Sequence, residues 1–225
     1  MMPNTFLRML TGMALAVAAS GTALASNNKA MDADIHSIEL QWEHIKFEES
    51  GSPNQFAHID ALAKFAANLT TKYPGRVEPL IWEGIVTSEE AGMAGTMSAL
   101  GYAKRARAML EQAYVQDPAA LDAGAPTSLG VLYSRVPGWP IGFGDNDRAR
   151  QLLVQAVSLA PNGMDANYFY ADFLMNQHEY AAAYEILKHA LALPPQKDRP
   201  LWDKNRRAVI RELMAKAQTA SAQAK

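Results

Sequence analysis

The sequence predicts an all-α chain of stacked helical hairpins, and three observations lead there. A frame of small and large side chains recurs three times: Ala106, Leu110, Ala113 and Pro118; Ala149, Leu153, Ala156 and Pro161; Ala183, Leu187, Ala190 and Pro195. Positions four and seven apart share one face of a helix, so the alanines let a neighbouring helix approach while the leucine fills the gap between them. Proline closes each copy because it cannot continue a helix and biases the preceding residue away from helical dihedrals. Apolar residues on both sides of the repeats also recur at helical spacing. The chain has 225 residues, 49% of them hydrophobic, and no cysteine, so its core must hold it without disulfides.

The N-terminus carries Arg8, then an apolar and small-residue run from Met9 to Ala19, then Ala23-Leu24-Ala25, the small-x-small pattern of a signal-peptidase site. Residues 1–25 are therefore expected to be a signal peptide cleaved after Ala25. Its apolar part is shorter than the ~20 residues that cross a hydrocarbon core. The product is expected to be periplasmic or secreted, soluble, and without a stable membrane anchor after cleavage.

Residues 26–76 read as a degenerate N-terminal helical pair. Ile35, Ile38, Trp42 and Ile45 mark its first helix; Ser52-Pro53 opens the second, whose stripe is Phe56, Ile59, Leu62, Phe65 and Leu69. Residues 77–195 hold the three framed hairpins. Their first helices are marked by Trp82-x-Gly84, by Leu129-Gly130-x-x-Tyr133, and by Ala171 with Leu174 after the capping candidate Asp165. Compared with the third hairpin, the first carries about ten extra residues around Glu89–Ser98 and the second about seven around Pro137–Asp145. A capping helix over 196–216 is expected to cover the last pair with Leu201, Val209, Leu213 and Met214. Lys204, Arg206, Arg207 and Arg211 are expected to face water, and 217–225 to form a frayed tail.

From about Val77 to Pro195 the chain resembles tetratricopeptide (TPR) repeat proteins, on the Leu-Gly-x2-Tyr element, the Ala-x3-Leu spacing and the terminal prolines. That resemblance implies a TPR-like helical-hairpin solenoid with a degenerate N-terminal pair and a C-terminal capping helix. The overall build is also similar to the T component of TRAP transporters, a TPR-like periplasmic family. This second likeness implies a transport accessory that partners a solute-binding protein.

With 21 Lys+Arg against 23 Asp+Glu the chain has no field for holding nucleic acid, which excludes that partner. The five histidines form no close metal-binding pair; His44 and Glu48, one turn apart, fit a surface pair better than a metal site. No nucleophile elbow or acid–base pair is spelled out, so neither catalysis nor a cofactor or metal is expected. The expected role is a non-enzymatic scaffold or adaptor for a protein or peptide partner. The alternative is a transport accessory holding a small apolar or amphipathic solute near Trp139 and Phe143.

Candidate binding residues follow from the insertions and from the first helices. Trp139 and Phe143 either plug the second hairpin or line a site, and Trp139-Pro140 is a candidate cis bond. The first insertion, rich in small residues, is expected to be a flexible loop, in which Met93 and Met97 offer adaptable apolar surface. The two insertions should lie on one edge of the stack, either as a binding mouth or packed on each other. Among first-helix positions expected to line the groove (Glu78, Ser88, Glu89, Thr127, Ser134, Asp165 and others), the candidates are Arg135, Tyr168, Asp172 and Asn176. Acids outnumber Arg135 there, which suits a cationic or neutral extended peptide.

Overall fold

The computed structural model describes residues 10–223, with side chains described from Asn28 onward except Met97. Arg8 and the side chains around Ala23-Leu24-Ala25 therefore lie outside the described residues. The chain divides into a short unit, residues 1–37, and a main unit, residues 38–225. Helix α1, Leu10–Phe47, supplies the described part of the first, and its residues 38–47 open the second. No described helix is long and apolar enough to cross a membrane.

Among the described residues the main unit holds, besides the end of α1, the helices α2 Gln55–Lys72, α3 Val77–Met93, α4 Thr96–Gln116, α5 Ala120–Arg135, α6 Asn146–Leu159, α7 Met164–Asn176, α8 Tyr180–Ala192 and α9 Pro200–Gln223. The described residues contain no strand, only an isolated bridge between Gly138 and Gly144. The helices pair as α3 with α4, α5 with α6 and α7 with α8, and α9 packs on α8. First helices also touch the next first helix, α3 with α5, α5 with α7 and α7 with α9, whereas α4, α6 and α8 do not touch one another. Elements in contact on one side and splayed on the other define a curved stack, so α3, α5, α7 and α9 line its inner face.

The recurring frame is the core. Ala106, Leu110, Ala113, Ala149, Leu153, Ala156, Ala183, Leu187 and Ala190 are all fully buried. The glycine opposite Leu110 and the one opposite Leu153 are steric requirements. A Cβ on Gly84 would stand 2.7 Å from Leu110 Cγ, and one on Gly130 2.5 Å from Leu153 Cγ. Helix α5 starts in an unexpected way: Leu121, Asp122 and Ala123 have φ of 50, 51 and 60°. Regular helix therefore begins near Gly124, which leaves Pro126 in the first turn, where its missing N–H costs nothing.

Several expectations need correction. The first insertion is not a loop: only Ala94 and Gly95 separate α3 from α4, and the extra residues lengthen both helices. Asp165 does not cap α7, whose N-cap is Gly163; it lies in the first turn. On α9 the buried stripe is Trp202, Arg206, Ile210 and Ala217, while Val209 stays exposed. The covering face is thus rotated about one position from the expected one. Arg206 is inside because its guanidinium pairs with Asp165 at 2.7 Å and lies over the Tyr168 ring at 4.3 Å. Arg207 is half-buried, donating to the carbonyls of Leu191 and Leu193. Helix α9 also runs past the expected boundary at 216 as far as Gln223.

Candidate functional site

The connection between α5 and α6 is stiff. Gly144 N–H donates to Pro137 O at 2.9 Å, Ile141 and Gly142 N–H both donate to Gly138 O at 3.1 Å, and Asp145 N–H donates to Tyr133 O at 2.9 Å. Trp139-Pro140 is cis. Glycine is required at two places: a Cβ would stand 1.8 Å from Val136 O at Gly144 and 2.4 Å from Pro137 O at Gly142. Asp145 closes the loop by accepting from Arg148 N–H at 3.0 Å as the N-cap of α6.

Within this frame the two aromatic candidates part company. Phe143 turns inward onto the cluster of Ala103, Ala106, Leu110, Leu129, Leu132 and Leu152. Tyr133 meets it edge-on at 5.5 Å, and the Arg107 guanidinium covers its face at 4.3 Å. Burial, together with the hydrogen bond to Glu111, pushes the Tyr133 phenol up, so it stays a neutral donor. Trp139 is 89% exposed and Ile141 70%. Phe143→Ala should therefore cost about 2 kcal/mol of stability, half the penalty range of a fully buried ring. Trp139→Ala should stay within about 0.5 kcal/mol of the parent. Urea midpoints at constant m-value measure both.

Each insertion sends one residue to a common hydrophobic cluster. Ala91, near the end of α3, packs on the same cluster as Phe143. Met93 is half-buried at the tip of α3, and the side chain of Met97 lies outside the described residues. Glu90, buried beside them, has its carboxyl pushed up by burial and the nearby Asp60, against the pull of Arg105 and Lys64.

On the inner face the structure brings Arg135, Tyr168 and Asp172 together. Arg135 donates to Asp172 at 3.1 Å and approaches the Phe169 ring at 5.8 Å. Tyr168 lies under Arg206 of α9, its phenol pushed up by burial. Asn176 is exposed at the end of α7, whereas Thr127 is buried and does not line a groove. The groove positions at Glu78 and Glu89 are paired with Arg76 at 2.8 Å and Lys46 at 2.6 Å.

Sequence reasoning missed a second constellation on the first helices. Glu43 of α1 is 1% exposed and accepts from Arg199 Nε at 2.5 Å and from the main-chain N–H of Trp202 at 3.2 Å. Glu39, one turn away, lies 3.5 Å from the same guanidinium. Trp42 meets Trp82 of α3 at 6.1 Å, and Arg199 approaches the rings of Trp82 at 6.0 Å and Trp202 at 5.0 Å. A Glu-x-x-x-Glu pair flanking a tryptophan is the one trace of this in the sequence, and it does not name the distant arginine.

Two clefts lie elsewhere: one of about 430 Å³ beside Leu40, His44, Ile45, His58 and Leu62, and one of about 320 Å³ beside Asn162, Met164, His189 and Leu193. His44 is a surface partner of Glu48 at 2.5 Å and of Glu49 at 3.2 Å. Among the described residues no group of three or more His, Cys, Asp or Glu could hold a metal ion.

Comparison with known proteins adds the following. The model of the tetratricopeptide repeat family matches residues 141–217. A solved structure described as MamA MSR-1 C2 is 16% identical and covers 86% of this chain and 99% of its own, with a TM-score of 0.40. A MamA mutant is 16% identical over 87% of this chain and 98% of its own, with a TM-score of 0.41. No curated protein matches. Residues 141–217 match the tetratricopeptide repeat model, and the main unit, over its described residues, is an all-α, TPR-like solenoid of helical hairpins.

Proposed function

We propose that this chain is an exported, non-catalytic scaffold that holds a protein or peptide partner against its inner face and the rim around Trp139. The observation that carries the reading is the rigid presentation of Trp139 and Ile141 to solvent, since their neighbour Phe143 alone suffices to plug the hairpin. Large apolar side chains held out on a stiff loop lose little entropy on binding, and tryptophan is enriched among residues that dominate interface energies. Export is supported by the Arg8-to-Ala25 pattern. The solute-accessory alternative, with its TRAP T-component likeness, is less well supported: it needs a pocket lined by Trp139 and Phe143, but one ring is open to solvent and the other is packed away.

The test is quantitative capture from the native compartment with the tagged full chain. The double variant Trp139→Ala, Ile141→Ala is expected to retain its melting temperature while losing at least tenfold of a stoichiometric partner. Undiminished capture by the double variant, or a co-purifying small molecule with no protein, contradicts the reading.

A further inference from the structure

The inner face carries a guanidinium in a box built for one. Two carboxylates, Glu39 and Glu43, stand one helical turn apart on α1 and both meet Arg199. Their spacing and their oxygens match the planar, multi-donor fork of arginine, which a lysine ammonium does not reproduce. Trp82 and Trp202 flank the same guanidinium, and aromatic faces add attraction for a delocalised cation. Glu43 is almost wholly removed from water, so some cation must accompany it. The site therefore demands an arginine whichever chain supplies it.

Two further features bear on who supplies it. Arg199 does not belong to a helix of the stack: it sits in the connector between α8 and α9, immediately before Pro200. The connector is preshaped from its own side, with Gln196 N–H donating to Asp203 at 3.1 Å, and with Arg207 bound to Asp203 at 2.9 Å and to the Leu191 and Leu193 carbonyls. The connector thus has hydrogen bonds of its own besides those that Arg199 and the Trp202 main chain make to Glu43. In addition, the indole N–H groups of Trp42, Trp82 and Trp202 are all buried and find no acceptor among the described residues. Buried donors of this kind call for an acceptor, and an extended peptide entering the seam beside the arginine brings main-chain carbonyls to them.

We infer that Glu39, Trp42 and Glu43 of α1 with Trp82 of α3 form an arginine-binding site, filled in the isolated chain by its own Arg199, which a partner's arginine replaces. The inference rests on the scaffold reading and gives that partner its chemistry: an extended segment presenting an arginine. Because the internal arginine is tethered beside the site by its own chain, it competes with any partner's arginine, and the free chain holds its site in check.

The test uses the full chain and a fluorescent synthetic peptide copying residues 194–204, together with an analogue carrying citrulline, the uncharged isostere, in place of arginine. Arg199→Ala is expected to bind the arginine peptide at least about tenfold more tightly than the parent, and the citrulline peptide at least about tenfold more weakly than the arginine one. Equal binding to parent and variant, or indifference to citrulline, overturns the inference. Should Arg199→Ala not fold, the indole N–H signals of the parent chain decide. With millimolar arginine peptide those of Trp42, Trp82 and Trp202 are expected to shift while that of Trp139 stays; no shift of the first three, or a shift of Trp139 instead, overturns it. Failure here is separable from failure of the scaffold reading. A partner that is captured through Trp139 but is indifferent to Arg199→Ala leaves the scaffold standing without the arginine site. Peptide binding as expected, with capture insensitive to the Trp139 rim, does the reverse.

Discussion

Leu153→Ala is expected to lower the free energy of unfolding by about 3 kcal/mol, in the middle of the range for truncating a fully buried leucine. Leu153 lies at the centre of the second frame copy, fully buried, with its Cγ 2.5 Å from the point where a Cβ on Gly130 would stand. Adding that Cβ by Gly130→Ala should itself cost about 1–3 kcal/mol, because the nearest atoms are the branch of the leucine and the Ala149 carbonyl, which cannot simply swing away. The informative result is the double variant. Removing the leucine branch makes room for the new methyl, so the two costs should fall short of their sum by about 1 kcal/mol or more. Gly84 and Leu110 repeat the arrangement at 2.7 Å and should show the same coupling. Denaturant unfolding of the four chains at each pair supplies the measurement. Simple additivity would mean that the close approach of first and second helices is not what these residues provide.

The second large effect is expected at Glu43. Glu43→Ala removes the carboxylate that meets Arg199 Nε and the main-chain N–H of Trp202, leaving a largely buried guanidinium with only the Glu39 carboxylate, at 3.5 Å. Breaking one side of a buried pair costs about 3 kcal/mol at the lower end of its usual range, and the remaining Glu39 argues for that end. Glu39→Ala should cost distinctly less, since its contact with Arg199 is longer and its side chain keeps 18% of its exposure. Replacing Glu43 and Arg199 together by leucine and methionine should recover much of the loss, because neither charge is then stranded. Melting temperatures of the three variants, taken in one buffer, would show this order. A Glu43→Ala chain as stable as the parent would mean that the seam between α1 and the connector before α9 is open in solution.

Much of the fold was legible because its chemistry is local. Alanines seven apart with a leucine between them have few other uses, and all nine such positions are buried. The stiffness of the loop after α5 was equally readable from its prolines and glycines. Misreadings came where local signals pointed two ways. The small residues of Glu89–Ser98 suggested a flexible loop, yet Ala, Met and Glu are good helix formers, and the chain spent the extra residues on longer helices. Arg206 was placed in water by its charge alone; in the fold its stem and guanidinium cover two aromatic rings. The left-handed turn at Leu121, Asp122 and Ala123 has no glycine to announce it. Least legible was the pairing of Glu43 with Arg199, which are 156 residues apart and meet only because the solenoid curves.

The most direct test exploits the absence of cysteine, which allows one thiol at a time to report on the native state. Ala106→Cys, Ala149→Cys and Ala183→Cys place it in the three frame copies, and Trp139→Cys places it on the loop tip. Under native conditions the three frame thiols should react with a maleimide only through unfolding, slowed by about a thousandfold or more for a domain of ordinary stability. The thiol at 139 should react at the rate of a free peptide. A frame thiol that labels as fast as the tip, or a tip thiol as protected as the frame, would contradict the account.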